Sequence, residues 1–196
     1  HLSLRRQRQM CIRDSYCKNE TIQGIRITDE PKFSSYSFVD MSSCLFSENI
    51  NVSKYDFIYA CAQKNFGPSG ITLVIAKKAL LAKSNPDLPN ILKYDAHANE
   101  GSMLNTPNTF GWYVAGKMFD WYLENGGVAE MEKQSTAKTA LLYDLIDKSD
   151  FYINPLKNIK FIKKNMLFPI GFNFIWIKTS RIIVILFIYF FKIKIT

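Results

Sequence analysis

The chain has 196 residues, of which 47% are hydrophobic, enough to form the core of one domain and part of another. Its formal net charge of +8 lies at the two ends, because residues 16–150 carry 13 basic and 16 acidic side chains. This distribution argues against a nucleic-acid-binding surface on the body of the protein.

The first fifteen residues, HLSLRRQRQMCIRDS, contain four arginines and no apolar periodicity. They also lack the continuous apolar core that a signal peptide requires. Because they read like translated adapter sequence, we predict that residues 1–15 are a non-native leader.

The middle of the chain, from Tyr16 to Pro155, has the pattern of an α/β domain. Short β-rich runs bounded by polar or turn residues predict three strands, at residues 36–39, 57–61 and 71–76.

The segment TPNTFGWYVAGKMFDWYLENGG predicts a helix with Thr106 as its N-cap, which ends before Gly126. Its apolar residues recur at helical spacing, which predicts a core-facing stripe rather than a cofactor site. The predicted stripe comprises Phe110, Val114, Met118, Trp121 and Tyr122. A second helix follows, with a predicted core face of Val128, Met131, Ala137, Leu141, Leu142, Leu145 and Ile146.

From Leu156 the composition changes to isoleucine, phenylalanine, lysine and asparagine, with no acidic residue. The longest apolar run, Ile182 to Phe191, has ten residues, whereas a membrane-spanning helix needs about 20. We predict that residues 156–196 are translated out of frame or strongly diverged. A membrane anchor is the alternative.

A zinc site is not expected. The chain has four cysteines and two histidines, without a CxxC pair or ligand spacing: Cys11, Cys17, Cys44, Cys61, His1 and His97. The pattern favours reduced thiols and a cytoplasmic protein.

Two charged residues follow neighbouring predicted strands. SYSFV ends in Asp40, and FIYACA ends in Gln63 and Lys64. Ligands of open α/β sheets bind outside the carboxyl ends of the strands, so a carboxylate and an amine there predict one site. Pyridoxal 5'-phosphate requires this pair, because a lysine amine carries it and an acid keeps its ring nitrogen protonated.

Five blocks carry a resemblance to a known family: YCKNETIQGIRI, DMSSCLFS, YDFIYACAQKNFGPSGITLVI, GSMLNTPNTFGWY and ENGGVAEMEK. In order and spacing they resemble the phosphoserine aminotransferases, which are class V, fold-type I enzymes dependent on pyridoxal 5'-phosphate. The resemblance extends from Tyr16 to about Pro155. Mild departures include Ser69, Cys61 and Asn108, where the family usually has other residues.

The resemblance implies the fold class. Residues 16–125 would be the C-terminal part of the cofactor-binding large domain, with a mixed, mostly parallel sheet and helices. Residues 126–155 would begin a small C-terminal domain. The chain would therefore be incomplete, and we expect it to be inactive alone.

The resemblance also implies roles for matching residues. Lys64 would be the catalytic residue, which carries the cofactor as a Schiff base and moves the substrate proton. Asp40 would pair with the pyridinium nitrogen, and Thr21 would donate a hydrogen bond to the phenolic oxygen of the ring.

Three further residues would contact phosphate. Gln63 would contact the cofactor phosphate, and Asn105 and Thr106 would reach the phosphate bound by the neighbouring subunit of a homodimer. Thr106 could equally be only a helix cap, and Thr21 an ordinary turn hydroxyl.

The implied reaction is transfer of an amino group from L-glutamate to 3-phosphohydroxypyruvate, a step of serine biosynthesis. The same activity can serve pyridoxine biosynthesis. The alternatives are another class V enzyme, such as a serine–glyoxylate aminotransferase or a desulfurase, and a non-catalytic membrane-associated product.

Overall fold

The computed structural model describes residues 13–22, 24–152, 162–163, 173–179 and 182–188. The strands within them are β1 Arg13–Cys17, β2 Asn19–Glu20, β3 Ile25–Ile27, β4 Tyr36–Asp40, β5 Phe57–Cys61, β6 Thr72–Ala76, β7 Ile162–Lys163, β8 Asn173–Thr179 and β9 Ile182–Ile188. The α-helices are α1 Lys78–Leu81, α2 Tyr94–Asn99, α3 Thr109–Glu124 and α4 Gly127–Asp147.

The central sheet has four strands in the order β1-β4-β5-β6. Strands β1, β4 and β5 are parallel, and β6 runs antiparallel to β5 at the edge. This arrangement confirms the predicted mixed, mostly parallel sheet, and the three predicted strands agree with β4, β5 and β6 to within one residue at each end. Strands β2, β3 and β7 form a second sheet, and β8 pairs with β9.

Strand β1 was not predicted. It includes residues 13–15, which belong to the segment predicted to be a non-native leader, and it pairs in parallel with β4 so that Cys17 lies opposite Asp40. Residues 1–12 lie outside the described residues, and the origin of residues 1–15 stays a prediction.

The two faces of the central sheet have different environments. On one face, Val39 and Ile58 are buried in a core that also contains Met131 of α4 and Tyr122 of α3. On the opposite face, the rings of Phe38 and Phe57 stack with their centroids 4.7 Å apart. Because side chains alternate along a strand, Asp40 lies on the face opposite the main core.

The predicted N-cap of α3 is wrong. The helix begins at Thr109, and its cap is Asn108, whose side-chain oxygen accepts a hydrogen bond from the amide of Gly111 at 3.1 Å. Asparagine is among the strongest N-cap residues, and here it satisfies an otherwise unpaired amide of the first turn. Thr106 lies outside the helix. The predicted end before Gly126 is confirmed, since Gly126 has a left-handed conformation with φ of +89°.

The predicted core stripe of α3 is correct only in part. Tyr122 is buried, but Phe110 is 71% exposed. The contact face uses small residues: a Cβ added to Gly67 would lie 3.3 Å from the Cβ of Ala115. Because the helix approaches the chain so closely at Ala115, large aromatic side chains do not fit there and turn toward solvent.

The predicted core face of α4 is also correct only in part. Met131 is fully buried, but the other buried residues are Ser135 and Thr139, at spacings of four. Leu141 and Leu145 are 75% and 60% exposed. The prediction chose the leucines by hydrophobicity alone. In the structure, the direction in which α4 packs beside Tyr122 determines that positions 131, 135 and 139 are buried.

In the described part of the C-terminal segment, residues 182–188 form a strand that pairs with residues 173–179. No helix among the described residues combines the length and apolar character needed to cross a membrane.

Candidate active site

The candidate site lies at the carboxyl edge of the parallel strands. Asp40 is the last residue of β4, and Lys64 follows the end of β5 by three residues. Because β4 and β5 are parallel, these residues lie at the same edge of the sheet, as the sequence predicted.

The backbone that carries Lys64 is held firmly. Lys64 ends a 3-10 turn, Ala62–Lys64, whose first residue is buried. The carbonyl oxygen of Ala62 accepts hydrogen bonds from the amides of Asn65 and Phe66, both at 3.0 Å. The side-chain amide of Asn65 donates to the Leu45 carbonyl at 2.7 Å. These bonds fix the direction in which the half-buried Lys64 side chain leaves the sheet.

A hydroxyl group faces this amine. Thr21 lies in the turn between β2 and β3, and its Oγ1 is 3.4 Å from the Nζ of Lys64. The two residues are 43 positions apart in sequence, so the tertiary structure brings them together. Both are half-buried, and the amine is therefore partly shielded from water.

The carboxylate of Asp40 is oriented by the chain that follows it. Its Oδ1 accepts a hydrogen bond from the amide of Ser42 at 2.8 Å. On the neighbouring strands, Cys17 and Tyr59 lie directly opposite Asp40 and share its face of the sheet. Sequence reasoning missed both, since RDSYC shows no strand pattern and Tyr59 is an ordinary strand residue.

The pKa values of one thiol, Cys17, and one phenol, Tyr59, reflect the charges around them. The pKa of the Cys17 thiol is raised by burial and then by the negative charge of Asp40, while the positive charge of Lys64 opposes this shift. The pKa of Tyr59 is raised by burial and then by Asp40. Asp40 and Lys64 both act on Cys17, so their charges share one site.

The three predicted phosphate contacts lie at the surface. Gln63, Asn105 and Thr106 are exposed, and the latter two lie on the segment that precedes α3. No hydrogen bond between described residues joins Asn105 or Thr106 to Lys64. Their predicted role at a neighbouring subunit stays a prediction.

No group of His, Cys, Asp and Glu side chains within the described residues could hold a metal ion. The groups at this edge are the amine of Lys64, the hydroxyl of Thr21 and the carboxylate of Asp40, with the thiol of Cys17 and the phenol of Tyr59 beside that carboxylate.

The family model for class-V aminotransferases matches residues 14–180. The match begins within the predicted leader and extends beyond Pro155 into the segment predicted to be out of frame or diverged. The predicted domain boundaries stay predictions.

Several relatives of this chain are phosphoserine aminotransferases. The chain is 48% identical over 159 residues to the phosphoserine aminotransferase of Pseudoalteromonas translucida (strain TAC 125). The matched region covers 81% of this chain and 44% of that relative. The match thus spans less than half the length of that relative.

Two solved structures are similar in fold. A phosphoserine aminotransferase from Bacillus circulans subsp. alkalophilus has a TM-score of 0.65 and 37% identity, covering 68% of this chain and 37% of that one. A phosphoserine aminotransferase from Trichomonas vaginalis, solved with pyridoxal phosphate (PLP) bound, has a TM-score of 0.70 and 37% identity, covering 74% of this chain and 43% of that one.

Proposed function

The chain belongs to the class-V aminotransferase family. We propose that it is part of an enzyme that transfers an amino group from L-glutamate to 3-phosphohydroxypyruvate. The products are 2-oxoglutarate and O-phospho-L-serine. The activity serves serine biosynthesis, and a related phosphorylated substrate would extend it to pyridoxine biosynthesis. The relatives support this choice over another class V enzyme or a membrane-associated product.

One observation carries the proposal. The Lys64 amine lies 3.4 Å from the Thr21 hydroxyl, at the same sheet edge as the Asp40 carboxylate. An amine, a hydroxyl and a carboxylate from three separate segments thus converge where ligands of such sheets bind.

This donor set fits pyridoxal 5'-phosphate. The cofactor needs an amine to hold it, an acid at its ring nitrogen and a donor at its phenolic oxygen, and Lys64, Asp40 and Thr21 would supply these groups in turn. Gln63 would contact the phosphate group from the exposed rim of the turn. When bound, the cofactor withdraws electrons from the substrate carbon that loses its proton.

The protein residues would orient the cofactor and transfer the proton. The Asp40 carboxylate would hold a proton on the ring nitrogen of the cofactor, and the amide of Ser42 fixes the direction of that carboxylate. The Lys64 amine would accept the proton lost by the amino-bearing carbon of the substrate and return it to the cofactor, which keeps the amino group. The half-buried setting of Lys64 and Thr21 limits access of water to this proton transfer.

We propose further that the intact enzyme is a cytoplasmic homodimer with a shared site. The exposed segment with Asn105 and Thr106 would reach the phosphate held by the partner subunit. This segment ends at the amino end of α3, where unpaired amide groups favour an anion.

The lysine assignment can be tested without turnover. Pyridoxal 5'-phosphate added to the chain and reduced with borohydride is expected to label Lys64, which peptide mass mapping identifies. Lys64→Ala should abolish the label. Lys54→Ala is the matched control, because Lys54 also ends a 3-10 turn but is exposed at the other end of β5. Equal labelling of Lys54 and Lys64 would refute the assignment.

The substrate is tested in the intact enzyme that contains this chain. L-Glutamate and 3-phosphohydroxypyruvate are expected to give 2-oxoglutarate and O-phospho-L-serine. Faster transfer to glyoxylate than to 3-phosphohydroxypyruvate would favour the serine–glyoxylate alternative instead.

A further inference from the structure

At the same end of the sheet lies a partly buried charged cluster that the proposed chemistry does not use. Lys18, which is 3% exposed, directly follows β1. Its Nζ donates to the Oε1 of Glu30 at 2.6 Å and to the hydroxyl of Tyr55 at 3.2 Å. The hydroxyl of Tyr55 donates to the same carboxylate, and that of Tyr16 donates to Oε2 at 2.9 Å.

The Glu30 carboxylate is charged in this cluster. Burial by itself would raise the pKa of Glu30, but hydrogen bonds from Lys18, Tyr55 and Tyr16 together lower it. A buried ion pair adds little net stability, because removing two charges from water costs about as much as their attraction returns. Such pairs are better known for fixing one register of the chain over others.

The backbone hydrogen bonds of Lys18 show which segment the ion pair would fix in place. Its amide donates to the carbonyl oxygen of Asp40 at 3.0 Å, and its own carbonyl oxygen accepts from the amide of Ile27 at 2.9 Å. Lys18 is therefore the residue at which the β2–β3 hairpin joins the central sheet. The turn of that hairpin carries Thr21, whose hydroxyl faces Lys64.

Other contacts keep the hairpin attached on its far side. The side-chain amide of Asn19 donates to Ser43 Oγ at 2.9 Å, and Arg26 forms an ion pair with Glu48. Loss of the Lys18–Glu30 pair would therefore shift the hairpin rather than release it.

We propose that Lys18 and Glu30 are positioning residues, which hold the β2–β3 hairpin so that the Thr21 hydroxyl faces the cofactor-binding amine of Lys64. The inference rests on the proposed function, since the position of Thr21 matters through the cofactor. Neither residue touches the amine itself.

The decisive variant is Lys18→Met/Glu30→Gln, which removes both charges together. Neutral replacement of both partners is commonly tolerated, whereas Glu30→Gln alone leaves the buried Lys18 charge without its partner. Lys77→Met is the matched control, because Lys77 forms a 2.8 Å ion pair with Asp56 at the other end of β5 and is half exposed.

The first readout is the dissociation constant of pyridoxal 5'-phosphate, measured by absorbance titration of the chain. The double variant is expected to bind about tenfold more weakly, the effect of losing one well-placed hydrogen bond. The control should bind as the wild type does. A folded double variant with wild-type affinity would overturn the inference.

The second readout needs no cofactor. In the double variant, hydrogen exchange of the Ile27 amide is expected to accelerate about tenfold, while that of the Met41 amide, bonded to Tyr59 in the central sheet, stays unchanged. Unchanged exchange at Ile27 overturns the inference even if the chain binds no cofactor. If wild type and control both fail to bind while the exchange result holds, the proposed function fails and the positioning of the hairpin stands.

If the double variant does not fold, Tyr16→Phe replaces it. This change removes one hydrogen bond to Glu30 and leaves the ion pair in place. Faster exchange at Ile27 but not at Met41 supports the inference. Equal acceleration at both amides overturns it.

Discussion

Replacement of Phe66 by alanine should sharply destabilise the chain, whereas the same change at Phe110 should not. Phe66 is 1% exposed and lies two residues after Lys64. Its ring contacts those of Phe46 and Phe119, with centroids 5.4 and 5.8 Å away. Phe110 is 71% exposed, although its helical spacing predicts a core position.

The expected magnitudes differ by several kcal/mol. Truncation of a fully buried phenylalanine costs about 3–5 kcal/mol, because its transfer energy is lost and a cavity remains. A change at a mostly exposed site stays within about 0.5 kcal/mol. Since a domain of this size is stable by about 5–15 kcal/mol, the Phe66→Ala change removes a large share of the total.

Urea unfolding followed by circular dichroism measures both values. The titration is repeated at two protein concentrations, so that any contribution of association at Phe110 appears as a concentration dependence. Phe66→Ala should also reduce borohydride trapping of cofactor on Lys64, because the turn loses its anchor. Equal free energies of unfolding for the two variants would refute the assigned orientation of α3.

Three further predictions concern stability. Because the pKa of Glu30 is lowered from its ordinary 4.5, its ionised form stabilises the fold above that pH. The loss in free energy of unfolding caused by Glu30→Gln should therefore shrink as the pH falls below 4.5. A loss that does not change with pH would contradict this. Asn108→Ala should cost about 1 kcal/mol in urea unfolding, whereas Thr106→Ala should cost less than half of that; the reverse order would restore Thr106 as the cap. Gly111→Ala should destabilise the fold by about 1–3 kcal/mol, since the added Cβ would lie 2.8 Å from the Asn108 side chain. Gly116→Ala should stabilise it by about 1 kcal/mol, because a Cβ there meets nothing within 4 Å. Similar effects at both sites would argue against this packing.

Short-range patterns were sufficient for several features. The apolar runs located β4, β5 and β6, because strand-forming residues bounded by polar ones favour an extended chain wherever it packs. The glycine at position 126 ended α3, because its left-handed conformation depends on local backbone sterics. Polar residues after parallel strands placed Asp40 and Lys64 at one edge, because the geometry of such sheets is general.

Other features depended on contacts that no local pattern encodes. RDSYC lacks apolar alternation and forms β1 only because β4 offers it a partner. Phe110 turns outward because Ala115 takes the close contact with the turn around Gly67.

The sequence by itself thus determined strands β4, β5 and β6, the end of a helix and the pair of charged residues from which the site was predicted. Only the tertiary structure decided that Thr21 faces Lys64, and that Lys18 is buried against Glu30 instead of lying in solvent. The physical reason is distance along the chain. Patterns of two to four residues reflect backbone geometry, whereas the burial of a charge depends on partners that fold in from 12 or more positions away.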